Sequence, residues 1–403
     1  MSGLVALAVA YVLSQFYRSF LAVLTPQLAT ELGADKADLS LASGFWFISF
    51  ALMQFVVGIS LDRFGPRRTA ALIFGFAGGG GAFVFATAQS PLAIVIAMTL
   101  IGIGCAPVLM ASLFIFAQKF DGRQFAVMTS WLVAFGNLGN VVGSSPLASA
   151  VDAFGWRTVM AGLGALSVLV AVLIMLLVDD PDVDAPGGAG FSGYLTLLKM
   201  PVLWPIMIMT LLCYAPVAGI RGLWSGPYLT DLFSANSLLI GQVTLWMAIA
   251  MIVGNLIYGP LDKLLNTRKW VVFGGNFLVL LALLAFVVQP IPGIGVATWL
   301  FILIGAAGTT YGVVIAHGRA FLPPQLVGRG VTLINFCSIF GAGVMQFVTG
   351  RLVDTQVNSS SPMTYQLLFG SYALLLLLAL LVYLMARDAP PGRAQLPGDN
   401  ARV

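Results

Sequence analysis

Charge is scarce in this sequence. Of its 403 residues, only 8% are Asp, Glu, Lys or Arg, where a soluble domain carries about 25%. That scarcity excludes an ordinary water-soluble globule. Histidine occurs once and cysteine three times. Cys105, Cys213 and Cys337 stand far apart inside apolar segments with no CxxC spacing, so they read as small packing residues rather than metal ligands or a disulfide framework. Neither a nucleophile–base–orienter set nor a metal-ligand cluster occurs, which argues against an enzyme and implies no cofactor and no metal. Acid is the most telling absence. All 15 Asp and Glu fall in loops, tails or helix ends, and none sits in the interior of an apolar segment.

What is abundant is hydrocarbon, since 59% of the residues are hydrophobic. The apolar runs are too many for one globular core and too long for barrel strands. Helices that satisfy their own backbone within a bilayer are therefore expected. Twelve spans are read at roughly 4–28, 41–61, 69–89, 92–118, 125–150, 157–178, 202–229, 238–261, 270–289, 293–321, 328–352 and 363–386. The first is not a signal peptide, because it lacks a basic start, is too long and is followed by eleven more. The net charge of +4 reflects topology rather than affinity for nucleic acid. Lys and Arg concentrate in the even-numbered loops and the C-terminal tail, whereas the opposite face carries Lys36, Arg157 and Arg351. The positive-inside rule then predicts both termini in the cytoplasm, in a bacterial inner (plasma) membrane. A monomer is expected.

An acidic, Gly/Pro-rich stretch, DDPDVDAPGGAGFSG, follows Val178 and reads as a cytoplasmic linker. The expected organisation is a six-helix bundle over 1–178, a linker over 179–201, a second bundle over 202–386 and a tail over 387–403. The two bundles echo each other. GISLDRFGPRR after span two corresponds to GPLDKLLNTRK after span eight, with Asp62 and Asp262 200 residues apart. PQLATEL after Arg18 corresponds to PYLTDLF after Arg221 at an offset of 201, and Asp152 to Asp354 at 202. Gly122–Arg123 and Gly328–Arg329 are related at an offset of 206. A parallel repeat of six-helix halves marks one large class of transporters.

GISLDRFGPRR resembles the loop-2 signature of the major facilitator superfamily, with Pro66 added before the basic pair. Phe154-Gly155-Trp156-Arg157 resembles the FGWR that many members carry between spans five and six. The resemblance covers the whole chain and implies an all-α membrane protein of twelve transmembrane helices in two pseudo-symmetric bundles. It also implies alternating access, in which the bundles rock around a site near the midplane. Asp62, at the end of its helix, can accept from the positive N-terminus of a neighbouring helix, which the resemblance implies is span eleven. Arg63, Arg67 and Arg68, with Asp262 and Lys263 in the second half, would then gate the cytoplasmic seam. Positive-inside topology alone accounts for the bases but not for the repeated aspartates.

Two arginines sit inside apolar spans, where an unpaired charge costs several kcal/mol. Arg18 lies about 21 Å from the cytoplasmic end of span one, and Arg221 occupies a similar depth in span seven. Glu31 is about 20 Å beyond Arg18 along a helix, and Asp231 about 15 Å beyond Arg221, so neither neutralises its arginine. Two guanidinium forks facing one cavity suit a carboxylate or phosphate. The competing reading is structural, with each arginine bonded to helix-end carbonyls or tyrosines. Gln15 shares the face of Arg18, Tyr214 lies two turns before Arg221, and Asn137 and Asn140 share a face of span five. The glycines around those asparagines serve close helix packing equally well. Trp224, Tyr311 and Asn335 are further lining candidates.

YRSFLAVLTPQL resembles the first span of the glycerol-3-phosphate/phosphate antiporter group, which carries a second arginine in span seven. AFGNLGN in span five resembles the glycine-rich signature of nitrate/nitrite porters. Those porters hold their anion with arginines in spans two and eight, where this chain has none, so an organic anion is favoured over nitrate. His317, the lone histidine, can carry a proton near neutral pH. It is the single titratable candidate for proton coupling, or else a hydrogen-bonding residue near the membrane surface. The expected function is secondary transport of a small anionic molecule such as a carboxylate or organophosphate. The alternatives are an efflux pump for amphipathic compounds on the same fold, a nitrate-type porter, and a non-transporting membrane receptor or scaffold.

Overall fold

The structure is a computed structural model and describes residues 2–120, 122–180, 192–323 and 326–391; the side chains of Asp62, Ala117, 122–127, Ser130 and Ser192 are outside the description. Residues 181–191 of the linker 179–201 and 392–403 of the tail 387–403 lie outside the described residues. Helices and short turns account for the described residues, with no strand among them.

Among the described residues, ten helices are long and apolar enough to cross a membrane, from Lys36–Leu61 to Pro362–Tyr383. An eleventh span is a bent pair, Ser2–Tyr17 and Leu21–Leu32, meeting at 52°. The remaining expected span, 125–150, is broken into Gly122–Val142 and Ser145–Phe154. Lipid offers no hydrogen bonds, so each span closes its own backbone, and some spans begin with a side-chain cap. Asp35 and Asp38 form a reciprocal capping box at the start of span two, with the Asp38 amide donating to Asp35 at 2.7 Å. Ser90 caps span four, with Pro91 in the first turn.

The chain divides into two compact units. The first comprises 1–187, 218–249 and 343–365, and the second 188–217, 250–342 and 366–403. Compactness and sequence repeat thus cut the chain differently. The first unit holds the six N-terminal spans together with the end of span seven, the beginning of span eight and the end of span eleven.

Within the first unit, span one is gripped by small residues on two sides. A Cβ at Gly139 would lie 1.9 Å from the Val12 carbonyl, and one at Gly136 would strike the Tyr11 ring. On the other side, Gly222 and Gly226 set span seven against the backbone of Arg18 and Ala22. Ala22 is the residue whose carbonyl Pro26, lacking an N–H, leaves without its helical donor. The backbone of Gly226 approaches that freed carbonyl so closely that a Cβ would lie 2.3 Å from it.

Candidate functional site

Arg18 occupies the break in span one. The helix stops at Tyr17 and resumes at Leu21, and the Ser19 hydroxyl donates back to the Gln15 carbonyl at 3.3 Å. Such back-bonding competes with the helical ladder and bends it. The bend carries the half-buried Arg18 guanidinium to 5.3 Å from the Trp46 ring and 5.4 Å from the Phe50 ring. Those rings are one turn apart on span two and stack at 5.2 Å, so a cation meets two electron-rich faces.

Arg221 lies in a π-helical turn, Ile220–Trp224, and is 3% exposed. It donates from Nη1 to Asn140 Oδ1 at 3.0 Å and from Nη2 to the Asn140 carbonyl at 2.5 Å. That carbonyl belongs to the last turn of the helix ending at Val142, where backbone oxygens lack helical donors and the dipole is negative. The Asn140 amide in turn donates to Asn137 Oδ1 at 3.3 Å. Gln15 donates to the Tyr11 hydroxyl at 2.8 Å, and the Tyr11 ring rests on Gly136. Gln15, Asn137, Asn140, Arg18 and Arg221 therefore fall in one body, with the backbone of Arg18 against Gly222, the residue after Arg221. Tyr214 belongs to the second unit, where its ring lies 6.2 Å from Tyr311 and Tyr311 donates to Asn335.

Two layers of contacts lie between the arginines and the loop-one face. Trp224 Nε1 is shared between Gln346 Oε1 and Thr349 Oγ1, each at 3.0 Å. Gln346 donates to Ser43 at 3.0 Å, and Ser40 donates to the Gln346 carbonyl. All five side chains are buried. Nearer the loops, Lys36 pairs with Asp231, which also accepts from the Tyr365 hydroxyl at 2.6 Å. Lys36 also donates to the Ser359 carbonyl at 2.5 Å. Gln27 donates to Ser237 at 2.7 Å, and Glu31 pairs with Arg157. The two acids nearest the arginines in sequence are thus engaged by other cations. Sequence reading missed Ser40, Ser43, Gln346 and Thr349. Their signal was polar atoms at helical spacing inside apolar spans, which also suits simple back-bonding to a helix.

At the opposite ends of the spans, loops 2 and 8 are organised by acids that the repeat did not single out. Arg67 approaches Asp180 at 3.5 Å, and its backbone amide donates to the same carboxylate at 2.8 Å. Gly65 has φ of 78° and a Cβ there would lie 2.6 Å from Asp180, so glycine is required on both counts. Arg63 lies over Phe64 at 5.3 Å, Arg68 is exposed, and the side chain of Asp62 lies outside the description. In the second unit, Asp388 accepts from Thr267 and from the amides of Arg268 and Lys269, at 3.2 and 3.0 Å. Partial desolvation raises the Asp388 pKa, but the hydrogen bonds from Thr267, Lys269, Ala389 and Arg268 outweigh it and hold the carboxyl below its ordinary value. Asp180 and Asp388, 208 residues apart, each follow the last span of a half. Each anion sits at the positive N-terminus of the third span of its half. Asp262 pairs with Arg268 at 3.3 Å, and Lys263 is exposed.

His317 is fully buried. Its Nε2 lies 2.8 Å from the Arg387 carbonyl and its Nδ1 2.6 Å from the Tyr383 hydroxyl. A carbonyl only accepts, so Nε2 carries the proton and Nδ1 of the neutral ring accepts from the tyrosine. Among the described residues, no group of three or more His, Cys, Asp and Glu could hold a metal ion.

Residues 7–224 match the family described as Major Facilitator Superfamily. The MFS-type transporter SLC18B1 of Rattus norvegicus is 26% identical over 297 residues, covering 71% of this chain and 63% of the rat protein. The chain thus aligns with less than two thirds of that curated relative. Among solved structures, a point mutant of the nucleoside transporter NupG superposes with a TM-score of 0.78 at 15% identity, covering 95% of this chain and 99% of that one. A bacterial homolog of the human lysosomal transporter Spinster, inward-facing and unoccupied, gives 0.77 at 16% identity, with 95% and 96% covered.

Proposed function

The chain belongs to the Major Facilitator Superfamily, and we propose that it is a secondary transporter of a small organic anion working by alternating access. The observation that carries the anion reading is that Arg18 and Arg221 lie on abutting turns of one compact body, with Gly222 against the Arg18 backbone. Two guanidiniums at adjoining apolar turns raise the local potential for an anion. Arg18, between Trp46 and Phe50, is the primary contact. The aromatic pair suits a carboxylate or organophosphate with an apolar body. Arg221 is held by Asn140 in this conformation and is the arginine that exchanges partners as the site changes access.

Alternating access draws support from the first unit. There the ends of spans seven, eight and eleven are tied to the first six spans by Lys36–Asp231, Gln27–Ser237 and the Trp224–Gln346–Ser43 chain. The loop-one face is thus closed. With both termini in the cytoplasm of a bacterial inner membrane, that face is the periplasmic one, and these contacts break when the halves 1–178 and 202–386 rock apart there. The bonds of His317 to Tyr383 and Arg387 support a structural role over a proton-coupling one. The glycines of AFGNLGN support packing against span one rather than nitrate binding.

The test is thermal unfolding of the purified chain against mono- and dicarboxylates and organophosphates, repeated with Arg18→Ala and Arg221→Ala. The expected result is saturable stabilisation by one anion class that Arg18→Ala abolishes and Arg221→Ala weakens. Failure of every anion to stabilise the parent, or responses in both variants equal to the parent's, would overturn the reading.

A further inference from the structure

A pocket of about 200 Å³ lies within the second unit, between spans eight and ten. Its polar wall is Asn255, Tyr258, Asp262 and Thr309, and the rest is glycine, valine and alanine. The direction of each hydrogen bond decides what the pocket accepts. The Tyr258 hydroxyl donates its proton to the Ala307 carbonyl at 3.0 Å. The Thr309 hydroxyl donates to the Ala306 carbonyl at 2.8 Å. Both oxygens are left with lone pairs alone. Asn255 commits an N–H to the Met251 carbonyl at 2.9 Å, and its Oδ1 accepts no hydrogen bond among the described residues. Asp262 is 8% exposed, and its Oδ2 receives the Nε of Arg268 at 3.3 Å. Its Oδ1 accepts from no described side chain.

The residues of the wall therefore bring two hydroxyl oxygens, an amide oxygen and a carboxylate oxygen that can act only as acceptors. Against them is a single remaining N–H of Asn255. An anion would meet lone pairs and a negative charge, whereas a hard cation or an ammonium would meet oxygen ligands. Arg268 does not saturate Asp262, since it makes one contact rather than a two-pronged fork. A water molecule takes about 30 Å³ of liquid, so the pocket has room for a cation with several waters or for a small organic ammonium.

We propose that this pocket is a monovalent-cation site, with Asp262, Asn255, Tyr258 and Thr309 as its oxygen ligands, taking an alkali ion with its waters or a small primary ammonium. A cation there shares Asp262 with Arg268, whose backbone amide leads into span nine. Occupancy therefore weakens the tie between the end of span eight and loop 8. The site stands apart from the anion reading, because its ligands all lie in the second unit and its test needs no anionic substrate.

Purified full-length chain is unfolded thermally in NaCl, KCl, methylammonium chloride and N-methyl-D-glucamine chloride at one ionic strength. The expected result is a saturable rise in midpoint with a small cation over bulky N-methyl-D-glucamine. Thr309→Val, nearly isosteric but without the oxygen, should raise the half-saturating concentration about fivefold, the loss of one hydrogen-bonding ligand. Asp262→Asn should abolish the response; if that variant fails to fold, Thr309→Val and Tyr258→Phe decide. Response to methylammonium alone supports the ammonium form of the site, and response to Na⁺ or K⁺ alone the alkali form. Equal midpoints in all four salts, or an unchanged half-saturating concentration in Thr309→Val, would overturn the proposal.

Discussion

At the scale of single residues, the arginines were legible because so few charges enter the apolar spans. Their partners were not. Asn137 and Asn140 stood out as polar residues on one face of span five, yet nothing in their spacing says that Asn140 caps its own helix end with an arginine from span seven. Asn140→Ala should leave the backbone acceptor and remove Oδ1, lowering stability by about 1–3 kcal/mol in thermal unfolding. Asn140→Asp, which keeps the acceptor, should retain the parent midpoint or exceed it. Gly139→Val tests the close approach to Val12 in the same assay. The two backbones must separate, at a cost of about 1–3 kcal/mol. Asp388 gives a pH-dependent test. Its folded pKa lies below the ordinary carboxyl value, so its contribution is present above that ordinary value, about 4. The contribution is lost as pH falls through the depressed folded value. The midpoint difference between the parent and Asp388→Asn should therefore be constant from pH 7 to about 5 and shrink below about 4.

At the scale of elements, hydropathy located the spans because lipid demands about twenty apolar residues in a helix. It did not locate the breaks within spans one and five, which arise from local competition. Ser19 back-bonds to Gln15 at the first, and Ser144 donates to the Val141 carbonyl at the second, at 2.5 Å. The buried polar chain joining spans two, seven and eleven is likewise a product of packing. Gln346 is its hub, receiving the Trp224 indole and donating to Ser43. Gln346→Leu should loosen the loop-one face without unfolding the spans. Hydrogen–deuterium exchange at 36–46 and 222–233 should rise about tenfold. Exchange unchanged in those segments would mean that the chain is ornamental to closure.

At the scale of the whole molecule, family and fold class followed from the repeat and from the loop-2 signature, and the match over residues 7–224 agrees with both. The repeat also drew attention to Asp62, for which a substitution test stands: Asp62→Asn should impair transport in proteoliposomes while expression and membrane insertion survive. Turnover equal to the parent would remove Asp62 from the gate. By itself the sequence determined that the chain is helical and membrane-embedded, because the scarcity of charge and the length of the apolar runs leave no other way to satisfy the backbone. It also determined that charge inside the spans would be confined to a few side chains. Only the tertiary structure decided what the charged and titratable side chains, inside the spans and at their ends, touch. Asp180 and Asp388 hold loops 2 and 8, Arg221 grips a helix end, and His317 bonds a tyrosine and a carbonyl. Each contact joins residues tens to hundreds of positions apart, and short-range spacing carries no information about which distant backbone ends will need a partner.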